Sequence, residues 1–394
     1  MKKFLCLLMV VSVLLLSGCY DASEVEETAY LIALGIDNAE NNAFNYTFQF
    51  AAPLAISGGE EGGGGGGSDS QPKKEGEILD AKNPTVKNIL ICAPDFYTAK
   101  NILTNYLSKT VNMSHLKMIV CSEDFAKDGL KKHSQLFLEE REIRPGTFIA
   151  LSEDKAEQFL KAVKPDLEGS TSKYYELSNS EKTLVFAPSV RLGDFVSKSA
   201  IFDKSSVLPI AVVDKEKVAT ALYGMGVFKD SVLIGKMNGD EALLFNVLSG
   251  TEKRFSFSVN DPRNEGERLS FDNSILKTPV FKIEERAGSL KITTEIYLNM
   301  EFIGAKLPDG YKSEDEVLAL GENELKSRLA NFMLKTARDF SADILSIERF
   351  YKNKFFTIDE QENASFKEKY RTAEFITLIK RSNKGGSTVS GEIN

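Results

Sequence analysis

The sequence predicts an α+β fold of three mixed α/β domains, with mainly antiparallel sheets flanked by helices. Three observations carry this. Phe44, Tyr46, Phe48 and Phe50 alternate with Asn45, Thr47 and Gln49, the period of a strand with one face buried. From Asn88 onward, short apolar runs alternate with segments whose apolar residues recur at helical spacing. Past Asp203 the texture changes to closely spaced strands, and a long amphipathic helix follows late in the chain. The domains are expected at 19–200, 201–270 and 271–394, after a leader at 1–18.

In the first domain, Tyr30 to Asp37 reads as a strand and Asn38 to Asn42 as the turn into its half-buried hairpin partner. Residues 57–76 hold six consecutive glycines among Ser, Asp, Gln and Lys; they bury too little surface to offset ordering entropy and read as a disordered loop. No Gly-Lys-Ser/Thr signature accompanies them, so a phosphate-binding role is set aside. Ala99, Ile102, Leu103, Tyr106 and Leu107 make a helix over Asp95 to Lys109, with Asp95 as its cap. Strands at Leu116 to Ser122 and Gly146 to Leu151 bracket short helices at Glu123 to Lys131 and Gln135 to Glu140. A helix at Lys155 to Val163 follows, and the polar stretch Pro165 to Glu181 reads as a loop.

The middle unit takes strands at Val207 to Val213, Val218 to Phe228, Ser231 to Lys236 and Arg254 to Val259, with a helix at Asp240 to Leu248. In the last unit, strands at Pro279 to Glu284 and Ser289 to Phe302 turn around Gly288. Ser313 and Glu316 have the spacing of a capping box opening a helix over 313–345, whose stripe of Leu318, Leu325, Leu329, Phe332, Thr336, Phe340 and Ile344 is expected to pack the core. A strand at Glu374 to Lys380 pairs back into that sheet.

The N-terminus is an export leader: Lys2 and Lys3, an apolar run from Phe4 to Leu16, then Leu16-Ser17-Gly18-Cys19. The run is shorter than the ~20 apolar residues a spanning helix needs. Small residues before a cysteine are what a lipoprotein peptidase requires, so Cys19 is the expected lipid anchor, holding the chain on the outer face of a membrane. The formal charge of −8 makes nucleic acid an implausible partner and anionic headgroups an unfavourable one, so attachment is assigned to the lipid. With Cys6 in the leader and Cys19 modified, Cys92 and Cys121 remain. They sit on runs that read as neighbouring strands within bonding reach, and two buried free thiols are the simpler reading.

Catalytic patterns are missing. His115 and His133 are the only histidines, without ligand spacing around them, and no Gly-x-Ser-x-Gly occurs. Glu139-Glu140-Arg141-Glu142 reads as a solvated charged face. No enzyme activity, metal or cofactor is expected.

Several stretches together resemble a known family. Cys19-Tyr20-Asp21, Glu24 to Glu27, Ala33-Leu34-Gly35-Ile36-Asp37, Ser114-His115-Leu116-Lys117, Glu123 to Gly129, Arg141-Glu142-Ile143-Arg144, Leu208-Pro209, Gly224-Met225-Gly226-Val227-Phe228-Lys229, Gly235 and Ala342-Asp343-Ile344-Leu345 resemble, in order and spacing, the Ger(x)C spore germination lipoproteins. These are the C subunits of nutrient germinant receptors in endospore-forming bacteria. The chain departs from the pattern in Tyr20 for a usual tryptophan, in having no Trp, in the glycine-rich insert, and in Ser346 and Glu348 where glycines are common. The resemblance implies a lipoprotein on the outer face of the spore inner membrane, working with a membrane-embedded A subunit and a multispanning B subunit. It leaves nutrient contact open. A stand-alone solute-binding lipoprotein is the competing reading, against which stands the lack of two similar lobes. Docking surfaces are anchored by a few aromatic and arginine side chains, which makes Arg349, Phe350, Tyr351 and Lys352 the candidate docking residues; the other reading of that segment is that its aromatics complete the third domain's core.

Overall fold

The computed structural model describes residues 27–51, 86–162, 184–200, 204–214, 219–286, 288–304, 306–355, 357 and 365–382. Cys19, the glycine-rich segment 57–76 and the stretch 165–181 lie outside them, so the expectations placed there stand as they were.

Strand β1 (Thr28–Asn38) is a near-continuous apolar run because it is covered on both faces; Leu31, Ala33, Leu34 and Ile36 are fully buried. It pairs antiparallel with β2 (Phe44–Ala51), parallel with β5 (Met118–Ser122), and through its first residues parallel with β4 (Thr110–Asn112). Beyond β2 lies β3 (Val86–Ala93); beyond β5 lie β6 (Phe148–Ser152) and β7 (Ser205–Asp214), both parallel, and then β8 (Ala219–Lys229) and β9 (Val232–Met237), both antiparallel. The order β3-β2-β1-β5-β6-β7-β8-β9, with β4 beside β1, makes a nine-stranded sheet.

Two sequence expectations change here. The hairpin partner is not half-buried: every residue from Tyr46 to Phe50 is buried, and Gln49 donates from its amide to the carbonyl of Leu160 and to Asn88 Oδ1, both at 2.9 Å. Period-two polarity marked a face that is polar yet covered. Cys92 and Cys121 are not on neighbouring strands, since β2 and β1 separate β3 from β5; both thiols are free, Cys92 exposed and Cys121 buried.

Helix α1 (Phe96–Tyr106) starts where expected, with Asp95 accepting from the Thr98 N–H at 2.8 Å. The helix read over 123–131 ends early, before Gly129 (φ 105), as α2 (Glu123–Asp128), and the one read over 135–140 starts earlier, as α3 (Lys131–Glu139). Helix α4 (Ala156–Ala162) is capped from far away in sequence: the carboxylate of Asp37, at the end of β1, accepts the N–H groups of Ala156 at 2.7 Å and Glu157 at 3.1 Å. Helix α5 (Leu192–Ala200) leads into β7.

No separate sheet forms over 201–270. Strands β7 to β9 extend the first sheet, because the apolar run of β7 finds a parallel partner in β6 through Leu151↔Ile210, covering an edge that an isolated three-stranded unit would expose. The β8–β9 turn is made by Asp230 and Ser231, both at positive φ, as a two-residue hairpin with matching twist requires. Helix α6 (Gly239–Ser249) follows, opened by a capping box between Asn238 and Glu241 and closed by Gly250 in the left-handed region.

The second sheet runs β10 (Arg254–Asn260), β11 (Arg268–Arg286), β12 (Ser289–Phe302), β13 (Glu374–Arg381), with β13 parallel to β12 and the rest antiparallel. β11 is longer than its sequence reading because Pro279 falls at a register shift between Lys277 and Val280, where a missing N–H breaks no ladder. Helix α7 (Glu314–Arg338) packs the predicted stripe against this sheet, with Leu325, Leu329, Phe332 and Thr336 buried. Its start differs: Ser313 makes no side-chain cap, and the Glu316 carboxylate instead accepts the Lys312 N–H and an Arg263 Nη2. Its end also comes before 345. The chain turns at Ser341 (φ 50) and Ser346 (φ 56), and the buried Asp343 accepts the N–H groups of Ile347 and Glu348 to open α8 (Glu348–Lys352). The φ of Ser346 gives a physical reason for the glycine common there in the resembled family. Helix α9 (Phe366–Arg371) precedes β13.

Because Asp37 serves two backbone donors at once, one of them buried, Asp37→Ala should lower unfolding free energy by about 2 kcal/mol in chemical denaturation. An unchanged midpoint would show that α4 needs no cap from β1.

Candidate functional site

The two sheets meet around α6. Residues Ala242 to Leu248 are buried on every side of that helix, which packs on β8 and on β11 and touches α7. Asn246, 1% exposed, donates from its amide to the carbonyls of Leu184 and Ala187, tying the entry of α5 to the same joint. Glycines of β8 and β9 are explained here. A Cβ on Gly224 (φ 85) would stand 2.6 Å from the Met237 carbonyl oxygen, and one on Gly235 would meet the Phe340 ring at 2.2 Å. Lys229 then donates to the Ser341 carbonyl at 3.2 Å, so β8 and β9 grip the turn after α7.

An open groove of about 750 Å³ lies beside this joint, walled by α6 and α7 and floored by Phe255 and Phe257 of β10. Two of its three bases are in ion pairs: Arg328 pairs with Glu324 at 2.8 Å and donates to the Ser258 carbonyl, and Lys335 pairs with Glu241 at 2.5 Å, while Arg268 reaches the Ser258 carbonyl at 3.5 Å. A second pocket, about 340 Å³, sits at the carboxyl ends of β1, β5 and β6, where α/β sheets often hold ligands. Its acids are also committed, Asp37 to the α4 cap and Glu123 and Glu153 to Lys236 at 2.7 and 3.1 Å. Among the described residues no cluster of three His, Cys, Asp or Glu has the arrangement to hold a metal.

The histidines take packing positions. His115 is exposed, edge-on to Tyr30 at 5.0 Å. His133 stands between Phe44 and Phe125, each ring 4.8 Å away, and its Nδ1 is buried without a partner.

Of the candidate docking residues, Tyr351 is buried and donates its hydroxyl to Glu285 at 2.8 Å, while Phe350 packs on Phe281 at 5.7 Å. Lys352 pairs with Glu348 at 2.9 Å. Arg349 is exposed and stacks over the Phe350 ring at 4.8 Å. The aromatics thus complete a core, and Arg349 alone of the four faces solvent freely.

Sequence reading missed a broader surface. One face of the second sheet carries α7, α8 and α9; the other is open. There Leu276, Val280 and Leu378 are 53, 44 and 41% exposed. Val280 and Leu378 flank Glu295 in register. Next to them Lys277 and Lys380 stand 5.0 and 4.9 Å over the Tyr297 ring. A Val, a Tyr and a Leu at matching faces of three strands were present in the sequence, but only the pairing register brings them together.

Comparison with known proteins covers both sheets, and the boundary between its two family matches falls at the β7–β8 hairpin of the first sheet. Residues 21–213 match the family described as "Spore germination protein N-terminal domain", and residues 223–379 match "Spore germination B3/ GerAC like, C-terminal". The chain is 24% identical to spore germination protein A3 of Bacillus subtilis (strain 168) over 274 residues, 68% of this chain and 66% of that protein. It is 27% identical to spore germination protein KC of the same organism over 166 residues, 42% of this chain and 37% of that one. The crystal structure of the GerBC protein has a similar fold, with a TM-score of 0.53 at 14% identity, covering 88% of this chain and 96% of that one.

The His133 site carries a pH dependence. Burial, and then the nearby Lys132, hold its imidazole below the ordinary value of 6.5. Below pH 6.5 the unfolded chain binds a proton that the folded chain refuses, so stability should fall as pH drops through that value and level off beneath the folded-state pKa. His133→Phe should flatten this segment of a stability-against-pH curve; an identical slope in the variant would assign the dependence to other groups.

Proposed function

The chain belongs to the GerAC-like family of spore germination proteins, and on that premise we propose that it is the non-catalytic lipoprotein subunit of a nutrient germinant receptor. In this reading Cys19 carries the lipid, the body stands on the outer face of the spore inner membrane, and it assembles with the membrane-embedded A and B subunits to trigger germination. The observation that carries the reading is a family match running through both sheets.

The geometry supports docking over capture of a nutrient. Glu241, Arg328 and Lys335 in the groove and Asp37, Glu123 and Glu153 in the second pocket are spent on internal contacts, whereas a small polar ligand needs convergent free groups. The open face around Tyr297 has the mixed apolar and cationic make-up of a protein-binding surface, and Arg349 adds an exposed, stacked guanidinium. No helix among the described residues is long and apolar enough to cross a membrane, so lipid on Cys19 is assigned the anchoring.

Cys19→Ala should move the protein from the membrane to the soluble fraction of sporulating cells. With the anchor intact, Leu276→Asp with Leu378→Asp, or Arg349→Glu, should keep the thermal midpoint within a few degrees, because these side chains are exposed, while reducing recovery of the A and B subunits in pull-downs and slowing germination. Normal recovery and germination in both variants would remove these surfaces as docking sites. Tight, saturable binding of germinant amino acids or sugars by the full chain, read by calorimetry, would favour the solute-binding alternative.

A further inference from the structure

The net acidity of the chain hides a segregation of charge along the parallel strands of the first sheet. At their carboxyl ends lie Asp37, Glu123, Asp124, Glu153 and Asp154. At their amino ends the loops are stitched into one surface. Thr28 of β1 is in register with Thr110, Lys117 donates its N–H to Ile32, and Phe148 donates its N–H to Lys117. Thr147 Oγ1 donates to Leu116, the Leu192 N–H to Thr147, and Arg191 bridges Phe148.

This surface collects Lys109, Lys117, Arg141, Arg144 and Arg191, and among the described residues none of the five forms an ion pair. Glu140 is taken by Lys100 at 3.2 Å, which leaves Glu27, Glu139, Glu142 and Asp194 as the opposing carboxylates, Glu142 keeping its charge while it accepts the Met113 N–H at 2.6 Å. Tyr106, 72% exposed, stands at the same end, as does His115. Cations beside an exposed tyrosine are the composition found where proteins meet headgroups.

We propose that this end of the first sheet lies against the membrane and binds its anionic lipid headgroups, so that the bilayer orients the body as well as holding it. The position of the N-terminus supports the choice of partner. Glu27 enters the sheet beside Lys109, and it follows Cys19 by eight residues, a reach of at most about 28 Å when extended. That last step rests on the lipid-anchor reading above; the charge segregation does not. The acidic end then points away from the bilayer, where an anionic surface repels it least.

The test uses the full lipidated chain, purified in detergent and returned to vesicles of phosphatidylcholine alone or with phosphatidylglycerol at three parts in ten. Flotation is read at low and high salt. Headgroup binding predicts stronger partition to the anionic vesicles, reversed by salt, and a loss of roughly tenfold or more of that preference in Lys109→Glu with Arg141→Glu and Arg144→Glu. A control of equal charge change, Lys131→Glu with Lys132→Glu and Lys367→Glu, should retain it. Equal, salt-insensitive flotation on both vesicles overturns the proposal and leaves the anchor standing. Flotation on anionic vesicles alone supports it and removes the anchor, and flotation on neither removes both.

Discussion

A helix that is apolar on every side has no face to offer water, and this protein places such a helix, α6, between two sheets. Ala242 to Leu248 are buried without a break, so the first sheet must pack on one side of the helix and the second on another. Much else follows from that demand. Gly224 and Gly235 are glycines because Met237 and Phe340 approach them at the joint, and Lys335 reaches from α7 to the N-terminal Glu241 of α6. The groove beside the joint is what remains where two curved layers and one helix do not close completely.

Buried carboxylates serve the same end by a second route. Asp37 and Asp343 are each 2% exposed, and each accepts two consecutive backbone N–H groups at the start of a helix. In both cases an acid at the edge of one element fixes where the next begins. Burial raises the pKa of Asp37 while the Glu157 and Ala156 N–H groups oppose it, so its ionised form depends on α4 as α4 depends on it.

For a receptor subunit, the arrangement separates tasks by surface. Charge segregation along the first sheet distinguishes its two ends, and the uncovered face of the second sheet presents apolar and cationic side chains around Tyr297. The two sheets are joined around α6 and where β8 and β9 meet the turn after α7. The pockets, where Glu123, Glu153 and Arg328 are paired internally, are parts of this frame.

Much of this was legible in the amino-acid sequence by itself: the α+β class, most strand and helix positions, the Asp95 cap, the α7 stripe and the family. These are local properties, set by side-chain period, by residues with special φ, and by caps within three residues of what they cap. Tertiary structure decided the rest. Thr47 and Gln49 look like a solvated face until α4 covers them; Glu316 looks like half of a capping box until Arg263 takes it; Tyr351 looks like a docking residue until Glu285 and the core claim it. Strand order decided that residues 201–270 divide between two sheets, and that Cys92 and Cys121 lie on strands with two others between them. Each outcome depends on a partner tens of residues away. Such pairings are set by which surfaces remain to be covered after local elements form, and no window along the chain contains that information.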